Sequence, residues 1–219
     1  TISGIPVPYF EEQSKQFGLD DNSDSNHASF FDYDRDGDLD LFILNHKIGF
    51  KDSAKFRLKE QKDGSMKRIK TPETPFESNR LYRNDGGRFT DVTAIAGLVS
   101  SAFGLSATPV DIDRDGWLDI YVANDFIEPD NVYFNNRDGT FTDHFFDYFK
   151  HTSHFSMGTD ATDFNNDGLV DIIVVDMKSG DHVRYKELAN PMQYDKYNLM
   201  VQYGYGRQPG RNMLQLNCG

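Results

Sequence analysis

A nine-residue pattern of regularly spaced aspartates occurs three times in the chain, at residues 32–40, 111–119 and 163–171. Each copy places oxygen-bearing side chains at positions 1, 3, 5 and 9 and a glycine at position 6. A short loop with this spacing can surround Ca²⁺, which takes about six to eight oxygen ligands, and glycine permits the sharp reversal. Asp and Gly also dominate ordinary turns, but three copies in register favour calcium-binding loops. They are named loops 1, 2 and 3.

The predicted ligands are the side chains at positions 1, 3, 5 and 9 and the backbone carbonyl at position 7, where the side chain differs in all three loops. The full set comprises Asp32, Asp34, Asp36, Asp38 and Asp40 in loop 1, Asp111, Asp113, Asp115, Trp117 and Asp119 in loop 2, and Asp163, Asn165, Asp167, Leu169 and Asp171 in loop 3. Because Asn165 replaces a carboxylate, loop 3 is predicted to bind calcium most weakly.

The same spacing occurs in EF-hands, which also need a glutamate at position 12 and flanking helices. Position 12 here is Ile43, Val122 and Val174. Each loop is followed by a short apolar run rich in β-branched and aromatic residues, which predicts a strand. The EF-hand is therefore excluded, and each loop is predicted to join two strands of a β-hairpin.

The repetition extends beyond the loops. Each unit contains a strand of small residues before the loop, an apolar strand after it, an Asn-flanked strand and a strand that begins with Phe-Thr-Asp or its equivalent. Residues 10–19 also match residues 89–98 at identical spacing. Four-stranded antiparallel sheets repeated around an axis are typical of β-propeller blades. The sequence therefore predicts an all-β fold in which residues 1–219 form one propeller segment, with units at approximately 10–84, 88–135 and 140–217.

Two insertions, at residues 46–78 and 178–211, fall between the second and third strands of their units. The first is basic, since residues 47–70 contain nine Lys or Arg and three acidic residues, and a protruding hairpin is predicted there with its turn at Asp63 and Gly64. The second is predicted to contain short helices near residues 183–189 and 194–201. It is crowded with tyrosines, namely Tyr185, Tyr194, Tyr197, Tyr203 and Tyr205.

Strand parity assigns these features to two faces. In an antiparallel blade the 1–2 and 3–4 turns share one edge, and the 2–3 and 4–1 connections share the other. The calcium loops are therefore predicted on one face and both insertions on the opposite face. Binding commonly resides in loops carried by a rigid scaffold, so the insertion-bearing face is the predicted recognition surface. The alternative for the tyrosines is that they pack the second insertion onto its own blade.

The chain has a formal net charge of −12, and twelve of its acidic residues lie in the three loops. Much of the negative charge therefore belongs to predicted calcium ligands. The net negative charge disfavours non-specific nucleic-acid binding. No apolar run reaches membrane-spanning length. Cys218 is the sole cysteine, so stability must come from apolar burial and metal rather than from an intrachain disulfide. Sites of this kind suit the high calcium outside cells, which favours an extracellular, cell-surface or periplasmic location.

Phe103-Gly104 and Met157-Gly158 precede two of the loops, and with them the pattern resembles FG-GAP or VCBS repeats, the calcium-binding blades of integrin alpha-subunit propellers. Residues 79–98 are similar to the bacterial branch related to cartilage acidic protein and the ASPIC/UnbV proteins. The first unit departs from the motif, with Asn26 to Ala28 in place of Phe-Gly. The resemblance implies a seven-bladed or similar propeller, secreted or surface-attached, that serves adhesion or ligand binding. Three units are fewer than the roughly four to eight blades of a closed propeller, so we expect further chain segments or subunits to complete it.

These features favour a calcium-binding extracellular module that binds protein or carbohydrate and has no catalytic activity. Similar propellers occur in polysaccharide lyases and phospholipases, so a secreted lyase or hydrolase is the first alternative. Its loose catalytic candidates are His144, His151 and His154 together with Asp143, Asp147 and Tyr148. The second alternative is an architectural component of a surface assembly.

Overall fold

The computed structural model describes residues 8–47, 55–177, 181 and 194–219. Their strands are β1 (Ser25–Phe31), β2 (Asp40–Asn45), β3 (Leu58–Glu60), β4 (Met66–Arg68), β5 (Arg80–Asn84), β6 (Phe89–Asp91), β7 (Phe103–Val110), β8 (Asp119–Asp125), β9 (Asn131–Asn135), β10 (Phe141–Asp143), β11 (Ser156–Thr162), β12 (Asp171–Asp176) and β13 (Met213–Gln215). The helices are α1 (Ser14–Phe17), a 3₁₀ turn (Pro75–Glu77), α2 (Phe145–Tyr148) and α3 (Tyr194–Gln202). Among these residues, no helix has the length and apolar character needed to cross a membrane.

Three antiparallel sheets form successive blades. The first blade has the order β1-β2-β5-β6, the second β7-β8-β9-β10, and the third β11-β12-β13 within the described residues. Each loop joins the first two strands of its blade, and its last aspartate is the first residue of the second strand, opposite Phe31, Val110 or Thr162. The prediction of all-β propeller blades with loops in β-hairpins is confirmed.

The first strands of the three blades lie side by side and carry short polar side chains at their contacts. Ser29 Oγ donates to the carbonyl of Ala107 at 3.2 Å, and the hydroxyls of Thr108 and Thr159 are 2.6 Å apart. The short side chains at these positions allow the backbones of the first strands to approach closely.

Apolar side chains fill the spaces between neighbouring blades. Phe42 and Leu44 alternate along β2 and meet Ile120 and Val122 of the second blade in one core cluster. Tyr121, on the other face of β8, belongs to a second cluster shared with the third blade. Because successive residues of a strand face opposite sides of the sheet, the apolar runs after the loops supply both interfaces.

Gly104 lies where the second blade packs on the first. A Cβ at this position would lie 2.6 Å from Cδ1 of Leu44, which is fully buried, whereas a Cβ at the equivalent Gly158 would lie 3.5 Å from Cγ2 of Val175. We expect Gly104→Ala to lower the free energy of unfolding by about 1–3 kcal/mol through overpacking, and Gly158→Ala to change it by less than about 0.5 kcal/mol. Urea denaturation measures both, and equal losses would contradict tight packing at Gly104.

The match between residues 10–19 and 89–98 has a structural basis other than a strand at Phe10. Residues 8–13 form no strand, and Phe10 is 89% exposed. The two copies share a glycine with positive φ that packs against the carbonyl of a phenylalanine at the start of a fourth strand, β6 or β10. A Cβ at Gly18 would lie 2.9 Å from the carbonyl oxygen of Phe89, and one at Gly97 would lie 3.0 Å from that of Phe141.

Both insertions lie between the second and third strands, as predicted. The predicted hairpin is confirmed, since β3 and β4 pair with Leu58 opposite Arg68 and enclose the turn at Asp63 and Gly64. Helix α3 confirms the predicted helix at 194–201. The helix predicted at 183–189 lies outside the described residues.

Candidate metal centre

The three loops fold in the same way. In each, the backbone N–H at position 6 donates to the carboxylate at position 1, at 3.1 Å from Gly37, 3.0 Å from Gly116 and 2.8 Å from Gly168. The N–H at position 7 donates to the carboxylate at position 5 over 2.8 to 2.9 Å. Identical internal hydrogen bonds in three blades indicate that the aspartates fix the loop conformation themselves.

Position 4 of each loop adopts a left-handed backbone conformation, which arginine rarely takes and asparagine tolerates. The φ angles are 61° at Arg35, 64° at Arg114 and 60° at Asn166. Positive φ is uncommon for residues other than glycine and is retained where the surrounding structure demands it. Sequence reasoning assigned the reversal to the glycine at position 6 and missed this second turning point, because the arginine of loops 1 and 2 gives no indication of it.

Loops 1 and 2 gather carboxylates closely enough to share a cation. One ligand oxygen from each of Asp32, Asp34 and Asp40 lies within 4.8 Å of the others, and so do oxygens of the three aspartates at positions 1, 3 and 5 of loop 2. Oδ1 of Asp32 is buried and has no hydrogen-bond partner. A buried, unpartnered carboxylate oxygen is costly unless a cation satisfies it, so the loop 1 residues fit calcium.

Loop 3 offers fewer charges. Nδ2 of Asn165 donates to Oδ2 of Asp167 at 2.9 Å, so this amide binds a carboxylate of its own loop but adds no charge. Oδ2 of Asp171 is buried and without a partner, which is the same feature that Asp32 shows in loop 1. The donor set therefore fits calcium with one anionic ligand fewer than in loops 1 and 2.

The aspartate at position 9 has a structural role that sequence reasoning did not assign. Asp119 is buried, and its two oxygens accept the N–H of Ile112 at 3.0 Å and of Asn135 at 2.9 Å. Asp40 makes the same pair of contacts in the first blade, with the N–H groups of Tyr33 and Asn84. This residue therefore ties its loop to the end of the third strand.

Burial raises the pKa of Asp40 to about 6 and that of Asp119 to about 7, although the backbone N–H donors oppose the rise. Partial desolvation raises the pKa of Asp34 and of the more exposed Asp113, and nearby carboxylates add to the rise. A bound cation favours the ionised form and reverses such shifts. The loops are therefore electrostatically disposed to take up positive charge.

The turns between the third and fourth strands lie against loops 1 and 2. Nε of Arg137 is 2.6 Å from Oδ2 of Asp115, and the N–H of Gly86 donates to Asp38 at 3.1 Å. The loops and these turns thus share one edge of the blades, as strand parity predicted.

The two insertions contact each other on the opposite edge. The N–H of Arg57 donates to the Tyr205 hydroxyl at 2.8 Å, and the N–H of Arg68 donates to the carbonyl of Tyr203 at 3.2 Å. Nη1 of Arg68 also lies 3.2 Å from Oε2 of Glu128, and both side chains are buried. The hairpin, the end of α3 and the short connection of the second blade therefore form one unit.

Apolar contacts complete this unit. Tyr205 is fully buried with Met200 and Ile127, and Phe56 packs against them with its ring centroid 5.5 Å from that of Tyr205. Tyr203 also contacts Phe56. These two tyrosines thus join the insertions to each other and to the second blade, rather than packing the second insertion only on its own blade.

Two cavities open on the insertion-bearing face. One, of about 120 Å³, is lined by Arg68, Lys70, Ser100, Asn131 and Asp143, among others. The other, of about 530 Å³, is lined by residues 72–75 of the first insertion and residues 91–95. Their walls come from the 2–3 and 4–1 connections, so they lie on the face predicted for recognition.

Asp130 ends the short connection of the second blade and provides a test by pH. Burial raises its pKa to about 6, although hydrogen bonds, including those from Tyr121 and the N–H of Asn124, oppose the rise. The ordinary pKa is about 3.9, so the unfolded chain releases this proton first, and stability is lost as the pH rises from about 4 through 6. Relative to Asp130→Asn, the protein should lose up to about 3 kcal/mol between pH 4 and 7. Parallel pH profiles in urea denaturation would contradict this.

The candidate catalytic histidines have separate partners. Nδ1 of His144 is 2.7 Å from Asp147, whereas Nδ1 of His154 is 3.0 Å from Oε1 of Gln208. Burial lowers the pKa of His154, and His151 is half-buried. Within the described residues, the groups of acidic, Cys or His side chains close enough to hold a metal are those of loops 1 and 2.

Comparison with protein families finds a known repeat in the sequence around these loops. The FG-GAP-like repeat model matches residues 73–122 and 111–174, which include loops 2 and 3 and the strands around them. The chain therefore contains FG-GAP-like repeats, and the resemblance to FG-GAP repeats is confirmed. No curated protein matched the chain.

Proposed function

We propose that this chain is a calcium-binding β-propeller module without catalytic activity, and that its insertion-bearing face binds a protein or carbohydrate ligand outside the cell. The observation that carries the calcium assignment is the repeated loop geometry together with the buried, unpartnered oxygens of Asp32 and Asp171. The calcium is structural, because the loops lie at the edge opposite the cavities. Further blades, from other chain segments or subunits, complete the propeller.

The ligand surface is supported by the two cavities and by the interlocked insertions around them. In the smaller cavity, Oδ2 of Asp143 lies 3.2 Å from Nζ of Lys70 and 2.9 Å from Nδ2 of Asn131. This set presents donors and an acceptor close together, which suits polar groups such as sugar hydroxyls or a peptide backbone. Lys70 is more than half exposed, so it can reach a ligand.

A glycan array and a peptide array probed with the calcium-loaded protein test this proposal. A specific ligand should lose most of its binding in Lys70→Ala and keep it in Arg88→Ala. Arg88 is a matched control because it is exposed and lies in the 3–4 turn of the first blade, beside the calcium loops. Loss of binding in Arg88→Ala alone would move the recognition surface to the other face. Turnover of a polysaccharide would support the lyase alternative.

A further inference from the structure

A continuous series of hydrogen bonds connects all three loops across the blades. It passes through the position 9 aspartates, the residue at position 2 of each preceding loop, and the asparagine that ends or follows each third strand. In order, the participants are Asp40, Tyr33, Asn135, Asp119, Ile112, Asn217 and Asp171.

The first half of each link lies within a blade. The N–H of Asn135 donates to Oδ1 of Asp119 at 2.9 Å, and the N–H of Asn217 donates to Oδ1 of Asp171 at 2.9 Å. The conformation of each loop is therefore tied to the position of its asparagine.

The second half crosses to the preceding blade. Nδ2 of Asn135 donates to the carbonyl of Tyr33 at 2.8 Å, and Nδ2 of Asn217 donates to the carbonyl of Ile112 at 3.1 Å. Tyr33 and Ile112 each lie between ligand positions 1 and 3, and their own N–H groups donate to the position 9 aspartates. The N–H groups of these two residues are thus bound within their own loop, and their carbonyls are bound by an asparagine of the next blade.

We propose that Asn135 and Asn217 are positioning residues that couple the calcium affinities of neighbouring loops, so that the loops bind calcium with positive cooperativity. The proposal rests on the calcium binding proposed above. An ion in loop 1 fixes the segment around Tyr33, which orients the Asn135 amide and, through the Asn135 N–H, Asp119 of loop 2. The ordering needed for the second ion is then partly complete, and less conformational entropy is lost when it binds.

Trp117 makes this measurable. It is the sole tryptophan and occupies position 7 of loop 2, and its ring also lies 5.4 Å from the guanidinium of Arg35 in loop 1. Tb³⁺ replaces Ca²⁺ in oxygen-rich sites, and the part of its tryptophan-excited emission that is lost in Asp113→Ala reports on loop 2. Loop 1 is disabled by Asp34→Ala, which removes a predicted ligand that takes no part in the hydrogen-bond series. We expect this change to weaken Tb³⁺ binding at loop 2 by about fivefold or more. In an Asn135→Ala background, Asp34→Ala should change Tb³⁺ binding at loop 2 by less than about twofold.

Asn136→Ala is the matched control. Asn136 adjoins Asn135 in the chain, but its amide donates to Thr140 and Thr142 within the same hairpin, so the coupling should survive its loss. Asn217 supplies a second, independent test if Asn135→Ala does not fold. Disabling loop 3 by Asp167→Ala should weaken Tb³⁺ binding at loop 2 in the wild-type background. The same change should have no such effect in an Asn217→Ala background.

Two results would overturn the coupling while leaving calcium binding intact. One is Tb³⁺ binding at loop 2 that is insensitive to Asp34→Ala in the wild-type background. The other is coupling that persists in a folded Asn135→Ala protein. If neither Tb³⁺ nor Ca²⁺ binds the wild-type protein, the proposed function fails first and the coupling fails with it.

Discussion

An Asp119→Ala variant is expected to lose about 4 kcal/mol of unfolding free energy even when calcium has been removed by a chelator. The buried carboxylate accepts the N–H groups of Ile112 and Asn135, and each buried donor left unsatisfied costs about 1–3 kcal/mol. The same change removes the link between loop 2 and the third strand. Urea denaturation in the presence of chelator measures this loss without any contribution from bound metal.

Asp113→Ala is the matched control for Asp119→Ala. Asp113 is an exposed predicted ligand of the same loop, and its carboxylate accepts the N–H of Asp115, which is also bound to Asp111. Its loss should cost less than about 1 kcal/mol without calcium but should abolish the calcium response of loop 2. If both variants lose equal stability in chelator, the distinction between position 3 as ligand and position 9 as structural tie is wrong.

Arg68→Ala should be equally damaging on the opposite face. Nη1 of Arg68 lies 3.2 Å from Oε2 of Glu128, and the two side chains are 6% and 9% exposed. Burial raises the pKa of Glu128, and Arg68 is the leading cation that opposes the rise. Removing one partner of a buried ion pair costs about 3–5 kcal/mol. For a chain of this length, this lowers the melting temperature by roughly 10 °C.

The ion pair between Lys70 and Asp143 is the matched comparison, because it lies in the same cavity but its lysine is 59% exposed. Lys70→Ala should cost less than about 1 kcal/mol. The double variant Arg68→Met with Glu128→Leu should be more stable than either single change, since it leaves no unpaired buried charge. A loss in Arg68→Ala no larger than in Lys70→Ala would show that the insertions do not depend on this contact.

Much of the scaffold was predictable because it rests on local patterns. The apolar runs after each loop gave the second strands, the Asp-Gly pair at residues 63 and 64 gave the hairpin turn, and strand parity separated the loops from the insertions. The regular repetition of these patterns made a propeller blade the natural interpretation. The match between residues 10–19 and 89–98 also has a local origin, because it reflects a repeated packing contact of Gly18 rather than a repeated strand.

The contacts that define the two faces were not predictable, because they join residues far apart in the chain. Arg57 and Tyr205 are separated by 148 positions and Asn135 and Tyr33 by 102. The asparagines after the third strands were visible as a repeat, but only the fold shows that their amides reach the loop of the preceding blade. Position 9 likewise follows the calcium pattern in sequence, while its backbone contacts appear only in three dimensions.

Isothermal titration of the chelator-treated protein with calcium, paired with a thermal melt, tests the central claim most directly. The loop assignment predicts about three sites, one fewer in Asp113→Ala, and a melting temperature that rises with calcium concentration because calcium binds the folded state. At free calcium near 100 times the dissociation constant, each site contributes about 2.7 kcal/mol. If calcium produced no binding heat and no rise in the melting temperature, the assignment of loops 1, 2 and 3 as calcium sites would be contradicted.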